Sequence, residues 1–460
     1  MNLEEKECIF SNLSVIGTEM FQLMNDLFPI CRSITGNGVR KSFELIKNYL
    51  DVELFEVASG TKVNDWTIPK EWNITDAYVI DPNGNKIIDF KNSNLHVLGY
   101  SIPINESVKL DELKKHMYTI PEQPDIIPYK TSYYNKNWGF CLTHKQFSEL
   151  NDESYDVCID SELKDGSLTY GEYFIKGKST KEILFSSYVC HPSICNDALS
   201  GVVMNILLAK TLLKHQNELN YSYRFLFVPE TVGAITWLSI NEEKTKNISH
   251  GLVLTCVGDN GNFTYKKTRD GDSEIDKTVL KILKKSEQKF HVKDFFPTGS
   301  DERQFCSPGF NLPVGSLMRT MYGEFKEYHT SSDNLSFVNI ESLQGSFDKF
   351  VEIIKELENN FGNFQETKTL SYEKTSSNDI KFLNLNPKCE LQLGKRGLYH
   401  KIGGPKSGVK PNIKGMLWLL NLSDGNHTLS QISKRSKISE DELIKYADIL
   451  IEQRLLKKIV

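Results

Sequence analysis

Residues 182–201 read EILFSSYVCHPSICNDALSG. The run EILFSSYVC has the length and apolar character of a buried strand, a histidine ends it, and a tight polar loop leads through Ser200-Gly201 into a second apolar stretch, Gly201 to Lys214, of helical length. A buried strand, a polar turn and a buried helix form the unit from which α/β sheets are built. Working outward, YDVCID and LTYGEYFIKG precede this unit as strand-like runs, and YRFLFVPE and GLVLTCVG follow it. A helix from Asp276 to Phe290, a Gly/Ser/Asp loop at Thr298 to Asp301, the strand-like LPVGSLM and a closing helix from Ile340 to Asn359 complete the alternation. The predicted core is an α/β mixed sheet covered by helices on both faces.

The flanks have other textures. Ile16, Met20, Leu23, Met24 and Leu27 lie at helical spacing, and Val39 to Leu50 repeats the pattern after the turn Thr35-Gly36-Asn37-Gly38. Residues 59–152 are rich in Trp, Tyr, Pro and turn signals such as Asp81-Pro82-Asn83-Gly84, with β-like runs AYVI and KIIDF, and are predicted to form a β-rich insert. Residues 1–58 and 153–361 then make up one discontinuous α/β domain. Residues 362–388, rich in Asn, Ser, Thr and Lys, read as a linker or irregular tail, and 389–460 as a helix-turn-helix or winged-helix domain with Ser439 capping its last helix and Glu442 at the capping-box position.

Composition excludes several classes. A chain of 460 residues with 39% hydrophobic and 25% charged residues is an ordinary globular protein with ample length for a large core. Its formal net charge of −5 argues against bulk electrostatic binding of nucleic acid or of anionic membrane. Nine scattered cysteines without a CxxC pair suit a reducing, cytoplasmic setting. The start MNLEEKECIF lacks the basic and apolar regions of a signal peptide, and Ala198 to Leu213 is too short to span a bilayer.

Ligands of α/β sheets gather where strands end. His191 ends EILFSSYVC, Asp197 follows in its loop, Glu230 ends YRFLFVP, Asp259 ends GLVLTCVG, and His329 lies in EYHTSSDN beyond the last strand. Imidazoles and carboxylates are the ligands of a catalytic zinc, and a further carboxylate beside the metal-bound water can act as general base. Each residue taken singly could be a loop cap; the set points to metal-assisted hydrolysis.

The order His, Asp-x-x-Ser-Gly, Glu-x-x-Gly, Asp, Ser-Asp and Tyr-His-Thr resembles the zinc aminopeptidase superfamily, which also contains glutaminyl cyclases and glutamate carboxypeptidases. Through DWTIPKEWNI, DGSLTYGE, VCHPS, VPET, SDERQFCSPG, EYHTSSDNLSF and LGKRGLY the chain is similar to bacterial aminopeptidase-like proteins with an inserted β domain and a C-terminal winged helix, often linked to polysaccharide biosynthesis. The resemblance implies a zinc-peptidase-like fold, with His191 and Asp259 as ligands of one metal, Asp197 as the carboxylate bridging two, Glu230 as general base, His329 as the last ligand and Tyr328 in the place of an oxyanion-stabilising tyrosine. Two departures qualify it. Thr231 stands where the superfamily has a ligating glutamate, and His191-Pro192-Ser193 lacks the usual carboxylate two residues after the histidine. The expectation is therefore one zinc on His191, Asp197 and Asp259, with a second site near His329 weak or absent.

Arg303 and Arg319 could clamp a substrate carboxylate or phosphate, or pair with Glu302 or Glu324. Cys190 and Cys195 flank His191 but read as small buried hydrophobes. Trp66, Trp72, Tyr133, Tyr134 and Trp138 could form a sugar-stacking face, though core packing is the favoured expectation. The C-terminal unit has eight Lys or Arg against six Asp or Glu from Pro411 onward, which favours docking of a protein partner or self-association over DNA binding. The leading reading is a metal-dependent hydrolase of an amide in a small-molecule or short-peptide substrate; the alternatives are a non-catalytic scaffold on a degenerate aminopeptidase fold and, behind it, a DNA-binding regulator.

Overall fold

The computed structural model describes residues 15–363, 380–399, 403 and 411–459. The acidic start with Cys8, and most of the expected linker, lie outside the described residues.

The main sheet contains eight strands: β1 (Glu53–Ala58), β2 (Ser167–Ile175), β3 (Glu182–Tyr188), β4 (Ser222–Val228), β5 (Ile248–Val253), β6 (Phe263–Lys266), β7 (Phe290–Lys293) and β8 (Val314–Met318). Their spatial order is β1-β2-β4-β3-β5-β8-β6-β7. The central four, β4, β3, β5 and β8, run parallel, while β1 with β2, β2 with β4 and β8 with β6 pair antiparallel. Every residue of β3 and β4 is buried, as apolar runs without alternation imply for strands covered on both faces. Side chains alternate across the sheet. Ile183 and Phe185, with Phe225 and Phe227, pack against α1 (Ile16–Leu27), α3 (Ser200–Leu213) and α6 (Ile340–Asn359). Leu184, Leu226 and Val228 face the other way, onto a helix at Val232–Ile240 and the insert.

Two charged positions interrupt these buried strands, and they satisfy each other. Arg224 Nε donates to Glu182 (2.7 Å), a second guanidinium nitrogen donates to the same carboxylate (2.9 Å), and a third bonds Glu172, which also accepts from Trp237 Nε1 (2.7 Å). A planar fork between two carboxylates is a geometry in which burial of charge is tolerated.

The insert is a four-stranded sheet in the order Lys86–Asp89, Glu71–Ile80, Ser154–Lys164, Ile104–Lys109. This corrects one expectation: YDVCID lies not in the main sheet but in the insert, paired with Glu71–Ile80 and Ile104–Lys109. Tyr155, Val157 and Ile159 are buried while Asp156 and Asp160 are exposed, the alternation of a strand covered on one face only. Of the insert aromatics, Trp72 is core, stacked on Tyr100 with its N–H donating to the Ser101 carbonyl, and Trp138 stacks on His116.

The C-terminal unit packs helices Pro411–Leu422, Leu429–Ser436 and Glu440–Glu452 against a sheet ordered Asp424–Thr428, Lys381–Asn384, Leu456–Lys458. Ser439 Oγ accepts the Glu442 N–H, the expected cap. The middle strand, Lys381–Asn384, comes from the stretch read as a linker, because a four-residue edge-to-edge strand leaves little periodicity to detect. Arg269 ties this unit to the sheet domain through Asn421 Oδ1 (3.1 Å) and Asp424 (2.7 Å), and Arg435 donates to the Arg269 carbonyl (2.9 Å). Among the described residues no helix is long and apolar enough to cross a membrane.

Replacing Arg224 by Leu strands the buried carboxylate of Glu182, while Glu172 keeps Trp237 and Lys244, so the variant should lose about 3–5 kcal/mol in urea denaturation. A loss below about 1 kcal/mol, the range of surface pairs, would show that the pair is not structural.

Candidate active site

The β3 strand delivers His191 to the carboxyl edge of the sheet, and the loop after it turns through Cys195–Leu199, a single wide helical turn wound with π-type bonds, before α3 begins. The residues of Asp-x-x-Ser-Gly each have a local reason. Ser200 Oγ donates to the Asn196 carbonyl (2.6 Å) and accepts the Val257 N–H (3.1 Å), tying the loop to the end of β5. Gly201 lies so close to the next strand that a Cβ there would come within 1.9 Å of the Leu254 carbonyl oxygen, so no larger residue fits.

Ligand atoms of His191, Asp197 and His329 lie within 4.8 Å of one another. His329 Nε2 sits 3.0 Å from Asp197 Oδ2, while Tyr188 OH and Thr255 Oγ1 (3.0 Å) both donate to Asp197 Oδ1. Although burial opposes its charge, the contact with His329 and the Tyr188 hydroxyl hold the Asp197 carboxyl down at about 2. Burial pushes the His191 imidazole down to about 3, so the ring is neutral with a lone pair to offer. Buried His329 Nε2, for its part, has no aligned hydrogen-bond partner. A neutral imidazole, a second imidazole and an ionised carboxylate converging on one point fit a zinc ion.

Asp259 is not in this group, contrary to the sequence expectation. Its carboxylate accepts from Asn196 Nδ2 (2.9 Å), Thr320 Oγ1 (2.6 Å) and the Gly261 N–H (2.6 Å), bonds that spend its lone pairs on loop structure. The third member is instead His329, which was expected to mark the weaker site.

Glu230 sits at the rim, with a carboxylate oxygen 3.7 Å from His191 Nε2 and its backbone N–H donating to Cys190 Sγ (3.2 Å). Burial first, then the charges of Asp301 and Asp197, raise its proton affinity well above the usual carboxylate range. Thr231, where a ligating glutamate was absent from the sequence, makes no carboxylate-like contribution: its N–H donates to Asp301 Oδ1 (2.7 Å) and its hydroxyl accepts from Arg303 (3.1 Å). The Tyr328 ring stacks on the His329 imidazole with centroids 4.0 Å apart, and burial keeps its hydroxyl protonated. The Cys190 and Cys195 thiols are both pushed up by burial, which removes them as nucleophiles.

Both arginines fall outside their expected pairings. Arg319 is structural: it donates to Ser346 Oγ (2.9 Å) and to the carbonyls of Ser342 and Gly261 (both 3.1 Å). Arg303 pairs with Glu390, 2.6 Å away on the C-terminal segment, rather than with Glu302 or Glu324.

Sequence reasoning missed three contributors. Tyr129, from the insert, presents its ring edge-on to both His191 (5.2 Å) and His329 (5.3 Å), and its N–H donates to the His329 carbonyl (2.8 Å). Asp301, a buried carboxylic acid pushed up to about 7 by burial, stands beside Glu230 and Thr231. Asp333 accepts the N–H groups of Asn196 (2.6 Å) and Asp197 (3.0 Å), and burial raises it to about 8. Asp333 lies within the quoted EYHTSSDN, four residues after His329, so its signal was present; Tyr129 had none, because only the folded insert brings it to the site. Backbone strain gathers here too, with positive φ at Ser193, Thr231, Cys256 and His329.

Comparison with known proteins bears on the family and the fold. Residues 21–360 match a family described as a domain of unknown function, DUF4910, and residues 381–458 match a winged helix-turn-helix family. A Clostridium acetobutylicum protein, provisionally named a polysaccharide biosynthesis protein with an aminopeptidase-like domain, is 53% identical over 99% of this chain and 100% of its own length. A crystal structure from the same organism, provisionally titled a peptidase, superposes over 100% of both chains at 50% identity with a TM-score of 0.75. The zinc aminopeptidase BSAP of Bacillus subtilis shares the fold at 13% identity, covering 75% of this chain and 94% of its own, with a TM-score of 0.54. An M28 peptidase precursor from Shewanella amazonensis does so at 12% identity, over 74% of this chain and 94% of its own, with a TM-score of 0.52.

Asp333→Asn places an amide donor against backbone donors of the ligand loop. It should weaken zinc binding by about 10- to 100-fold, as loss of groups that orient metal ligands does elsewhere, with the far-UV circular dichroism unchanged; wild-type zinc affinity would remove Asp333 from that role.

Proposed function

The chain belongs to the DUF4910 family, and we propose that it is a metal-dependent hydrolase of an amide bond, aminopeptidase-like in mechanism, acting on a small molecule or short peptide. The observation that carries this reading is the convergence of His191, Asp197 and His329 beside a half-buried glutamate of raised proton affinity. In this reading the three residues hold one zinc ion, which supplies Lewis acidity and lowers the pKa of water when bound. Glu230 takes the proton of the attacking water, which its raised affinity suits near neutral pH, and returns it to the leaving amine. The protonated Tyr328 hydroxyl, on a ring fixed by stacking against His329, donates to the oxyanion. Tyr129 closes the space between the two imidazoles and keeps bulk water from them.

The provisional name of the C. acetobutylicum relative connects that protein with polysaccharide biosynthesis. For this chain the same setting is a proposal, as are a cytoplasmic location and the use of the winged helix for protein docking or self-association. The amide would belong to a short peptide or to an acylamino sugar. A second reading, a scaffold without turnover, draws support from Thr231, whose hydroxyl serves Arg303 and brings no negative charge to the site.

Glu230→Gln should lower kcat by about 10²–10⁴, the usual contribution of a general base, while zinc content stays that of the wild type. Aminoacyl p-nitroanilides and N-acyl amino sugars are the substrates to assay. An unchanged kcat would take the base role from Glu230, and a zinc-loaded wild type inert toward the whole panel would favour the scaffold.

A further inference from the structure

A cavity of about 470 Å³ opens beside Glu230, within the size range of small-molecule sites. Three separate parts of the chain wall it. The sheet domain contributes Glu230 and Arg303, the insert contributes Trp66 and Tyr134, and the segment leading into the winged helix contributes Glu390 and Tyr399.

That last segment is a strap clamped on both sides. Its Glu390 N–H donates to Gln304 Oε1 (2.9 Å) and its Glu390 carbonyl accepts Trp66 Nε1–H (2.7 Å), joining the sheet domain to the insert across the cavity. Further along, the Gln392 N–H donates to Asp65 (2.9 Å), and Lys395 (2.7 Å) and Arg396 (2.6 Å) pair with the same carboxylate. The cavity is therefore incomplete without residues that follow the sheet domain in sequence.

The lining defines a ligand chemistry. Tyr134 and Tyr399 are 39% and 41% exposed, unusual for large aromatic side chains, and Tyr134 meets the Trp66 ring edge-on at 5.6 Å. Aromatic surface of this kind has an apolar body and a polar tip, suited to a ligand with one apolar face and a wet rim. The polar groups include flat, forked ones: the guanidinium of Arg303, the carboxylate of Glu390 and the amide of Gln392. The cations at the walls are already matched, Arg303 with Glu390 at 2.6 Å and Lys395 with Asp65, while Glu230 has no Lys or Arg partner among the described residues. A peptide's terminal carboxylate would find no unpaired cation here, and a wholly apolar ligand would leave rim groups such as the Gln392 amide and the Glu230 carboxyl without partners. A neutral, polyhydroxylated ring meets both conditions: its C–H face stacks on an aromatic ring and its hydroxyls bond the forks.

We propose that this cavity is a sugar-binding subsite that takes the pyranose ring of an acylamino sugar and presents the acylamino group to Glu230. The placement of the amide rests on the hydrolase reading above; the binding of the sugar does not.

The test is saturation-transfer NMR titration of the full-length chain with N-acetylglucosamine, run on the wild type, Trp66→Ala and Tyr134→Ala, alongside turnover of an aminoacyl p-nitroanilide and of N-acyl amino sugars by the wild type. Saturable binding that weakens at least tenfold in both variants is expected. Tyr134 is exposed enough that its truncation leaves folding intact, so it decides the matter if Trp66→Ala fails to fold. No saturable binding to the wild type, or equal affinity in wild type and variants, overturns the proposal. Sugar binding with no turnover of either the anilide or the N-acyl amino sugars supports the subsite while counting against the hydrolase, and turnover without sugar binding overturns the subsite alone.

Discussion

The site depends on one residue that touches no ligand position. Asp333 gathers three consecutive backbone N–H groups: those of Asn196 and Asp197 on its carboxylate and that of Cys195 on its carbonyl oxygen (3.0 Å). Such a loop, turning with π-type bonds between a strand and a helix, leaves amides that neither element can satisfy. By accepting them, Asp333 fixes where Asp197 points, and it lies four residues after His329, another of the three residues whose ligand atoms converge. Asn196 extends the arrangement to the third loop, donating to Asp259 while its side-chain oxygen accepts the Gly258 N–H (2.9 Å). The three loops at the carboxyl edge of the sheet are thus one hydrogen-bonded body.

Upon that body the insert and the C-terminal strap add the upper half of the site. The insert runs beside the His329 loop, where Ser331 N–H donates to the Ile127 carbonyl (2.9 Å) and Tyr129 N–H to the His329 carbonyl. Burial is the price of this enclosure: it leaves Glu230, Asp301 and Asp333 with proton affinities raised above those of ordinary carboxylates. In the proposed hydrolase the same burial suits Glu230, since a base must hold its proton long enough to deliver it to a leaving amine.

Much of this was legible in the sequence. The unbroken apolar runs of β3 and β4 announced strands covered on both faces, and the residues that punctuate strand ends, His191, Asp197 and Glu230, do line the site. His329 was picked out by its place beyond the last strand and again by the resemblance, while both misled over Asp259, whose surroundings include Asn196 and Thr320, neighbours distant in sequence. YDVCID was assigned to the wrong sheet although its alternation carried the answer. Asp301 stood in the quoted Ser-Asp motif without a role, and Tyr129 and the Glu390 strap were not legible at all, because each acts through a juxtaposition that exists only after the insert and C-terminal unit have docked. The insert aromatics divide in the same way: Trp72 is core, and Trp66 and Tyr134 line a cavity whose far wall lies more than 250 residues away along the chain.

The central claim is that His329, not Asp259, completes the metal-ligand set with His191 and Asp197. It is tested most directly by elemental analysis of zinc-reconstituted, buffer-exchanged protein, comparing wild type, His329→Ala and Asp259→Asn. About one zinc per chain in the wild type and in Asp259→Asn, with loss in His329→Ala, is the expected result for a three-ligand site. Zinc retained by His329→Ala and lost from Asp259→Asn would contradict it.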